Sequence, residues 1–172
     1  GGFRPTNSNT ENWIGQVYLY RENEDIPIDD NGKAMLPLLQ ICLEGLPYIP
    51  DALKGSKVLT IFVSENMPGR LAYNGDAWVI REYKEEDVLV VKDIYMQSSS
   101  RIKPYPLKSQ LITEDYPVWD SGDIPMDIED ELVEMEDSGE ITDYYDYTDC
   151  FAGHKIGGYP NYIQSGIDFG DG

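Results

Sequence analysis

Apolar residues recur at every second position, or run on without a polar break, through most of the first two thirds of the chain. Ile14–Tyr20 (IGQVYLY) alternates and is rich in β-branched and aromatic residues, which predicts a strand. Asp29-Asp30-Asn31-Gly32 is turn chemistry. Met35–Leu43 (MLPLLQICL) is almost wholly apolar and suits a strand covered on both faces; its one polar residue, Gln40, would need hydrogen-bond partners there. Leu46–Gly55 holds two prolines and then Asp51, the expected N-cap of a one- or two-turn helix closed by Gly55. Val58–Ser64 (VLTIFVS) is the clearest strand, expected to lie centrally beside Leu38–Leu43. Ala77–Tyr83 and Val88–Tyr95 read as two more strands, joined by the charged linker Lys84–Asp87.

The last third is looser. Ser98-Ser99-Ser100 marks a loop, and Pro104–Leu111 reads as an edge strand because of its two prolines. Ile128, Leu132 and Met135 recur at i, i+4 and i+7, predicting a short amphipathic helix over Asp127–Asp137, acidic outside and stopped by Gly139. Gly157-Gly158-Tyr159-Pro160 predicts a turn with a positive φ at one of the glycines, where a Cβ would clash. The sum is an α+β fold with more strand than helix.

Composition bounds the rest. A chain of 172 residues with 41% hydrophobic content is enough for one domain with a real core. No apolar run approaches the roughly 20 residues of a membrane span. No signal peptide is visible, and the chain opens inside what reads as structure, so its true start is expected upstream. Cys42 reads as a buried thiol and Cys150 as a loop residue, with no disulfide framework, which makes the cytoplasm the default compartment. The net charge is −19, which argues against nucleic acid or an anionic membrane as partner. It is also local: Lys108 and Lys155 bracket a stretch with no Lys or Arg and fifteen acids, leaving the rest of the chain at −4.

The candidate chemistry is sparse. Asp25–Asp30 and Asp120–Glu131 are acid-dense but lack the glycine and glutamate positions of a calcium-binding loop. His154 has no Cys or His partner for zinc, no Ser or Cys stands in a nucleophile motif, and Gly157-Gly158 lacks the residues of a phosphate loop. Asp143–Asp149 (DYYDYTD) has the look of a sulfation acceptor, but nothing supports secretion. No catalytic residue, cofactor or metal site is therefore assigned. The acid-tyrosine cluster points to a binding surface: tyrosines give rigid contact area and carboxylates steer a basic partner. The expected contacts are the acids Glu129, Glu131, Glu134, Asp137, Asp143 and Asp146, with Tyr144, Tyr145 and Tyr147. A solvated acidic loop kept for solubility explains the same residues.

An ordered set of short motifs carries a resemblance. Trp13-Ile14-Gly15 is followed by Pro37-Leu38-Leu39-Gln40, then Leu46-Pro47 with Pro50 and Leu53. Leu59 to Phe62, Asn74-Gly75 with Trp78, and Lys155 to Pro160 with Gln164 complete the order. In this the chain resembles the YwqG-like family of bacterial proteins of unknown function, over nearly its whole length. The resemblance implies a strand-rich domain of two degenerate halves, with Gly1-Gly2-Phe3-Arg4-Pro5 echoed by Gly157-Gly158-Tyr159-Pro160. Within a single domain of residues 1–172 it divides the chain into a β-rich first half, 1–112, an acidic variable connection, 113–153, and the start of a second half, 154–172, which reads as ending before its copy is complete. The family carries no established catalytic residues, and its members are often encoded among toxin–immunity genes. It thus implies a non-enzymatic cytoplasmic immunity protein that neutralises a basic toxin by direct contact. The alternative is a small-ligand-binding or regulatory module with a cleft between the two halves.

Overall fold

Gly15 breaks the stretch that alternation reads as one strand. With φ at +75°, in the region glycine adopts without a Cβ penalty, it ends β1 (Asn12–Ile14) and sends the chain to β2 (Leu19–Arg21) in a different sheet. The remaining strands are β3 (Leu36–Cys42), β4 (Ser56–Val63), β5 (Trp78–Lys84), β6 (Leu89–Val91) and β7 (Tyr105–Leu107). These come from a computed structural model that describes residues 6–65, 74–94, 103–119 and 123–161. Gly1–Pro5, Ser98–Ser100, Tyr95 and Gln164, singled out in the sequence, lie outside the described residues. The chain divides into two compact units, residues 1–110 and 111–172.

In the first unit, five strands form an antiparallel sheet in the order β5-β4-β3-β1-β7, and β2 pairs with β6 in a two-stranded sheet. The expected central pair is there: β3 and β4 are adjacent, with Gln40 opposite Thr60. Pro37 lies inside β3, where a missing N–H would break the ladder; the β3–β4 register shifts between Pro37 and Leu39 to accommodate it. β7, with its prolines, takes the edge. Asp51 does not cap by its side chain; it lies inside the 3₁₀ turn Asp51–Leu53 and pairs with Lys54 at 2.5 Å, while Gly55 closes the turn at φ +80°.

Burial follows the pleat. Val58, Thr60 and Phe62 of β4 are buried, whereas Leu59, Ile61 and Val63, on the other face, are half-buried. The buried face packs in two clusters, Val17, Tyr20, Met35 and Phe62, and Leu19, Val58 and Tyr83. Gln40, fully buried, finds the partners it needs. Its Oε1 accepts from the N–H groups of Tyr18 and Leu19 (2.8 and 3.0 Å), and its Nε2 donates to the carbonyls of Asn9 and Glu11, both at 2.9 Å. One side chain thus satisfies the irregular backbone that the break at Gly15 leaves between the sheets.

The second unit holds α1 (Met126–Ser138), close to the helix expected over 127–137. Pro125 sits at its N-terminal boundary and Gly139, at φ +77°, ends it in a left-handed cap, with the N–H groups of Glu140 and Ile141 returning to the Met135 carbonyl. A 3₁₀ turn, Tyr144–Asp146, follows, capped by the Asp143 carboxylate accepting from the Tyr145 N–H. With one helix and two sheets among the described residues, the chain is a strand-dominated α+β protein.

Candidate partner-binding surface

Lys155 is the only Lys or Arg of residues 111–172, against seventeen acids; the first unit carries twelve bases and fifteen acids. In so lopsided a field the lone ammonium has to find a carboxylate, and it finds Asp115, forty residues away, at 2.7 Å. Asp115 also accepts from the N–H groups of Phe151 (3.1 Å) and Tyr159 (3.0 Å). The glycine pair bends the chain around that carboxylate, with φ at +78° for Gly157 and +75° for Gly158, so both carry the positive φ expected of at least one. Burial works against the charge on Asp115, but Lys155 and the two backbone donors outweigh it and hold the carboxyl below its ordinary range. The shaped turn is thus a wrap around one carboxylate, and the one cation of the unit is consumed in it.

The predicted contact residues sort into two elements and unequal roles. Glu129, Glu131, Glu134 and Asp137 lie on α1, Glu129 half-buried and the others exposed. Asp143 caps the 3₁₀ turn, and Asp146 is exposed. Tyr144 is structural: its ring packs 5.2 Å from Trp119, and its hydroxyl donates to the Pro117 carbonyl at 3.0 Å. Tyr145 is half exposed and its hydroxyl accepts from the Trp119 N–H. Tyr147, 65% exposed, is the tyrosine of this run most open to a partner. Sequence reasoning missed Asp115, Trp119 and the exposed rings of Phe151 and Tyr116. The signal for Asp115 was there in the form of a single lysine beside a Gly-Gly pair.

The other polar clusters are occupied internally. Asp29 accepts from the Ser64 hydroxyl (2.7 Å) and the N–H groups of Asn31 and Lys33, which lowers its pKa. Arg21 donates to both oxygens of Asp87, and Glu24 accepts from the Tyr83 hydroxyl at 2.7 Å; burial and that carboxylate push Tyr83 up to about 12. A cleft of about 200 Å³ is lined by Glu11, Asn12, Cys42, Glu44 and Lys108 among others, smaller than the roughly 300 Å³ at which small-molecule pockets begin. Its Cys42 thiol is pushed up to about 11 by burial and stays protonated at neutral pH, a poor nucleophile. Both cysteines are free. Among the described residues no three His, Cys, Asp or Glu side chains group as metal ligands would, and no helix is long and apolar enough to cross a membrane.

No protein-family profile matches the chain, and no curated protein matches it. The YwqG-like resemblance rests on its ordered motifs alone.

Proposed function

We propose that this is a non-enzymatic binding protein whose second unit engages a basic protein, and that it serves in the cytoplasm as an immunity protein against a basic bacterial toxin. The observation that carries the first part is the segregation of charge: seventeen acids against a single lysine that is already paired with Asp115. Such a surface raises the encounter rate with a cationic protein and repels nucleic acid and anionic lipid. Exposed rings interleaved with the carboxylates, Tyr147 above all, supply contact area that charge alone lacks. The toxin as partner follows from the family resemblance and its genetic setting.

The test is co-purification of the tagged chain with the products of its flanking genes, followed by binding kinetics. A cationic partner whose on-rate falls about tenfold between low salt and 0.15 M ionic strength is the expected result. Absence of any basic partner, or an on-rate indifferent to salt, overturns the reading.

A further inference from the structure

Among its described residues the second unit buries one side chain, Ile124. Apolar packing therefore does not account for how firmely its early residues are held by its later ones. Asp115-Tyr116-Pro117-Val118 belongs to no helix or strand, and Tyr116, ahead of a proline, is biased to extended backbone. Residues 143–159 nevertheless hold this segment and the Trp119 that follows it, one group after another.

The Asp115 carboxylate takes Lys155 and the N–H groups of Phe151 and Tyr159. Next, the Tyr116 N–H donates to the Asp149 carbonyl at 3.3 Å. The Pro117 carbonyl accepts twice, from the Tyr144 hydroxyl at 3.0 Å and the Cys150 thiol at 3.2 Å. The Trp119 N–H then donates to the Tyr145 hydroxyl at 3.1 Å, and its ring packs on Tyr144 with centroids 5.2 Å apart. A charged anchor, backbone groups taken in succession and a ring at the far end are how a groove reads a peptide. None of these contacts uses the covalent connection from 119 to 143, so a separate peptide of the same sequence can make them all. The anchor point is also cut to size: a Cβ at Gly158 would take the space of the carboxylate.

We infer that residues 143–159 form a peptide-binding cradle for an acidic residue followed, four positions on, by an aromatic one, and that residues 115–119 fill it in the free chain as a built-in ligand. The cradle takes a carboxylate, whereas the acidic surface takes a cation, so this inference is independent of the basic-partner reading. A tethered ligand acts at an effective concentration of the order of millimolar. The built-in segment thus keeps out weaker peptides and yields once its own hold is loosened.

The test uses the full chain and an amidated peptide of residues 113–119, compared with the same peptide carrying Asp115→Asn. Two variants of the chain loosen the built-in ligand in different ways: Asp115→Asn removes the charged anchor and Trp119→Ala removes the ring. Each is expected to bind the acidic peptide about tenfold tighter than the unaltered chain does, and the Asn peptide about tenfold more weakly than the acidic one. In the Asp115→Asn chain the acidic peptide should also restore slow amide exchange at Phe151 and Tyr159. Adding Gly158→Ala, whose Cβ takes the place of the carboxylate, or Lys155→Met should abolish that gain. Failure of both variants to bind the acidic peptide, equal binding of the two peptides, or binding that survives Gly158→Ala overturns the cradle.

Discussion

A Cβ on residue 158 would have to occupy space held by the Asp115 carboxylate. Gly158 is also at φ +75°, so an L side chain meets strain in its backbone and collision at its tip. The turn is shaped so that the Tyr159 N–H and Lys155 close on one acid, which the Phe151 N–H reaches as well.

Gly158→Ala is therefore expected to destabilise this unit by about 2–3 kcal/mol, combining left-handed strain with displacement of the carboxylate. Gly139→Ala, equally left-handed but with open space around its added Cβ, should cost only about 1 kcal/mol. Amide exchange of residues 111–161 measures both; equal costs would show that the Asp115 contact is unimportant.

Acid should open the same turn. The folded pKa of Asp115 lies below the unfolded value, so its stabilisation is complete above about pH 4 and is lost as pH falls through the folded pKa. Exchange protection at Phe151 and Tyr159 is expected to weaken below pH 4. In Asp115→Asn, protection should be weaker already at neutral pH and should lack this acid-dependent step.

Gln40, fully buried, sits between four backbone groups. Gln40→Leu should cost about 4 kcal/mol by taking away the side chain that serves the N–H groups of Tyr18 and Leu19 and the Asn9 carbonyl, and by leaving the Glu11 carbonyl only the Cys42 thiol. Gln40→Glu keeps an acceptor for the two N–H groups but turns an oxygen toward the two carbonyls, so it should also destabilise. Urea denaturation of the full chain reads both.

How much of this could be read in advance depended on how far apart the interacting residues are. The β4 strand was legible because Val58, Leu59, Ile61 and Val63 are β-branched or aliphatic and declare a strand locally. Gln40 was legible as a need, though not in its partners, since a polar residue in an apolar run must be satisfied. Gly15 was not legible as a break, because alternation continues through IGQVYLY while the backbone changes sheets. Asp115 was lost among fifteen acids, since only its meeting with Lys155, forty residues on, sets it apart. The structural part played by Tyr144 was not legible for the same reason: Trp119 and Pro117, which hold it, lie more than twenty residues earlier.

Two buried hydroxyls invite the opposite experiment. The oxygens of Tyr20 and Thr60 are buried without a hydrogen-bond partner. Tyr20→Phe and Thr60→Val remove that unmet need while keeping most of the shape, so each should be neutral or stabilise by up to about 1 kcal/mol. Destabilisation beyond 1 kcal/mol in thermal unfolding would show that these hydroxyls do have partners in solution.

The tyrosines of the acidic segment should separate cleanly by role. Tyr144→Ala removes a ring packed on Trp119 and a hydroxyl bonded to Pro117, so it should loosen residues 115–150 and weaken partner binding only through that loss of order. Tyr147→Ala touches little in the free protein and should leave exchange protection unchanged. If its 65% exposed ring is covered in the complex, its loss should speed dissociation several-fold with little change in the on-rate, because aromatic contacts act after the encounter that charge has steered. Neutralising Glu131, Glu134 and Asp137 together should do the reverse, slowing association most at low salt. The flanking-gene product that co-purifies with the chain is the analyte for these kinetics. An unaltered off-rate for Tyr147→Ala would move the aromatic contact to another exposed ring, with Phe151 the next to substitute, and would leave Tyr147 as a solvent-facing residue of an acidic surface.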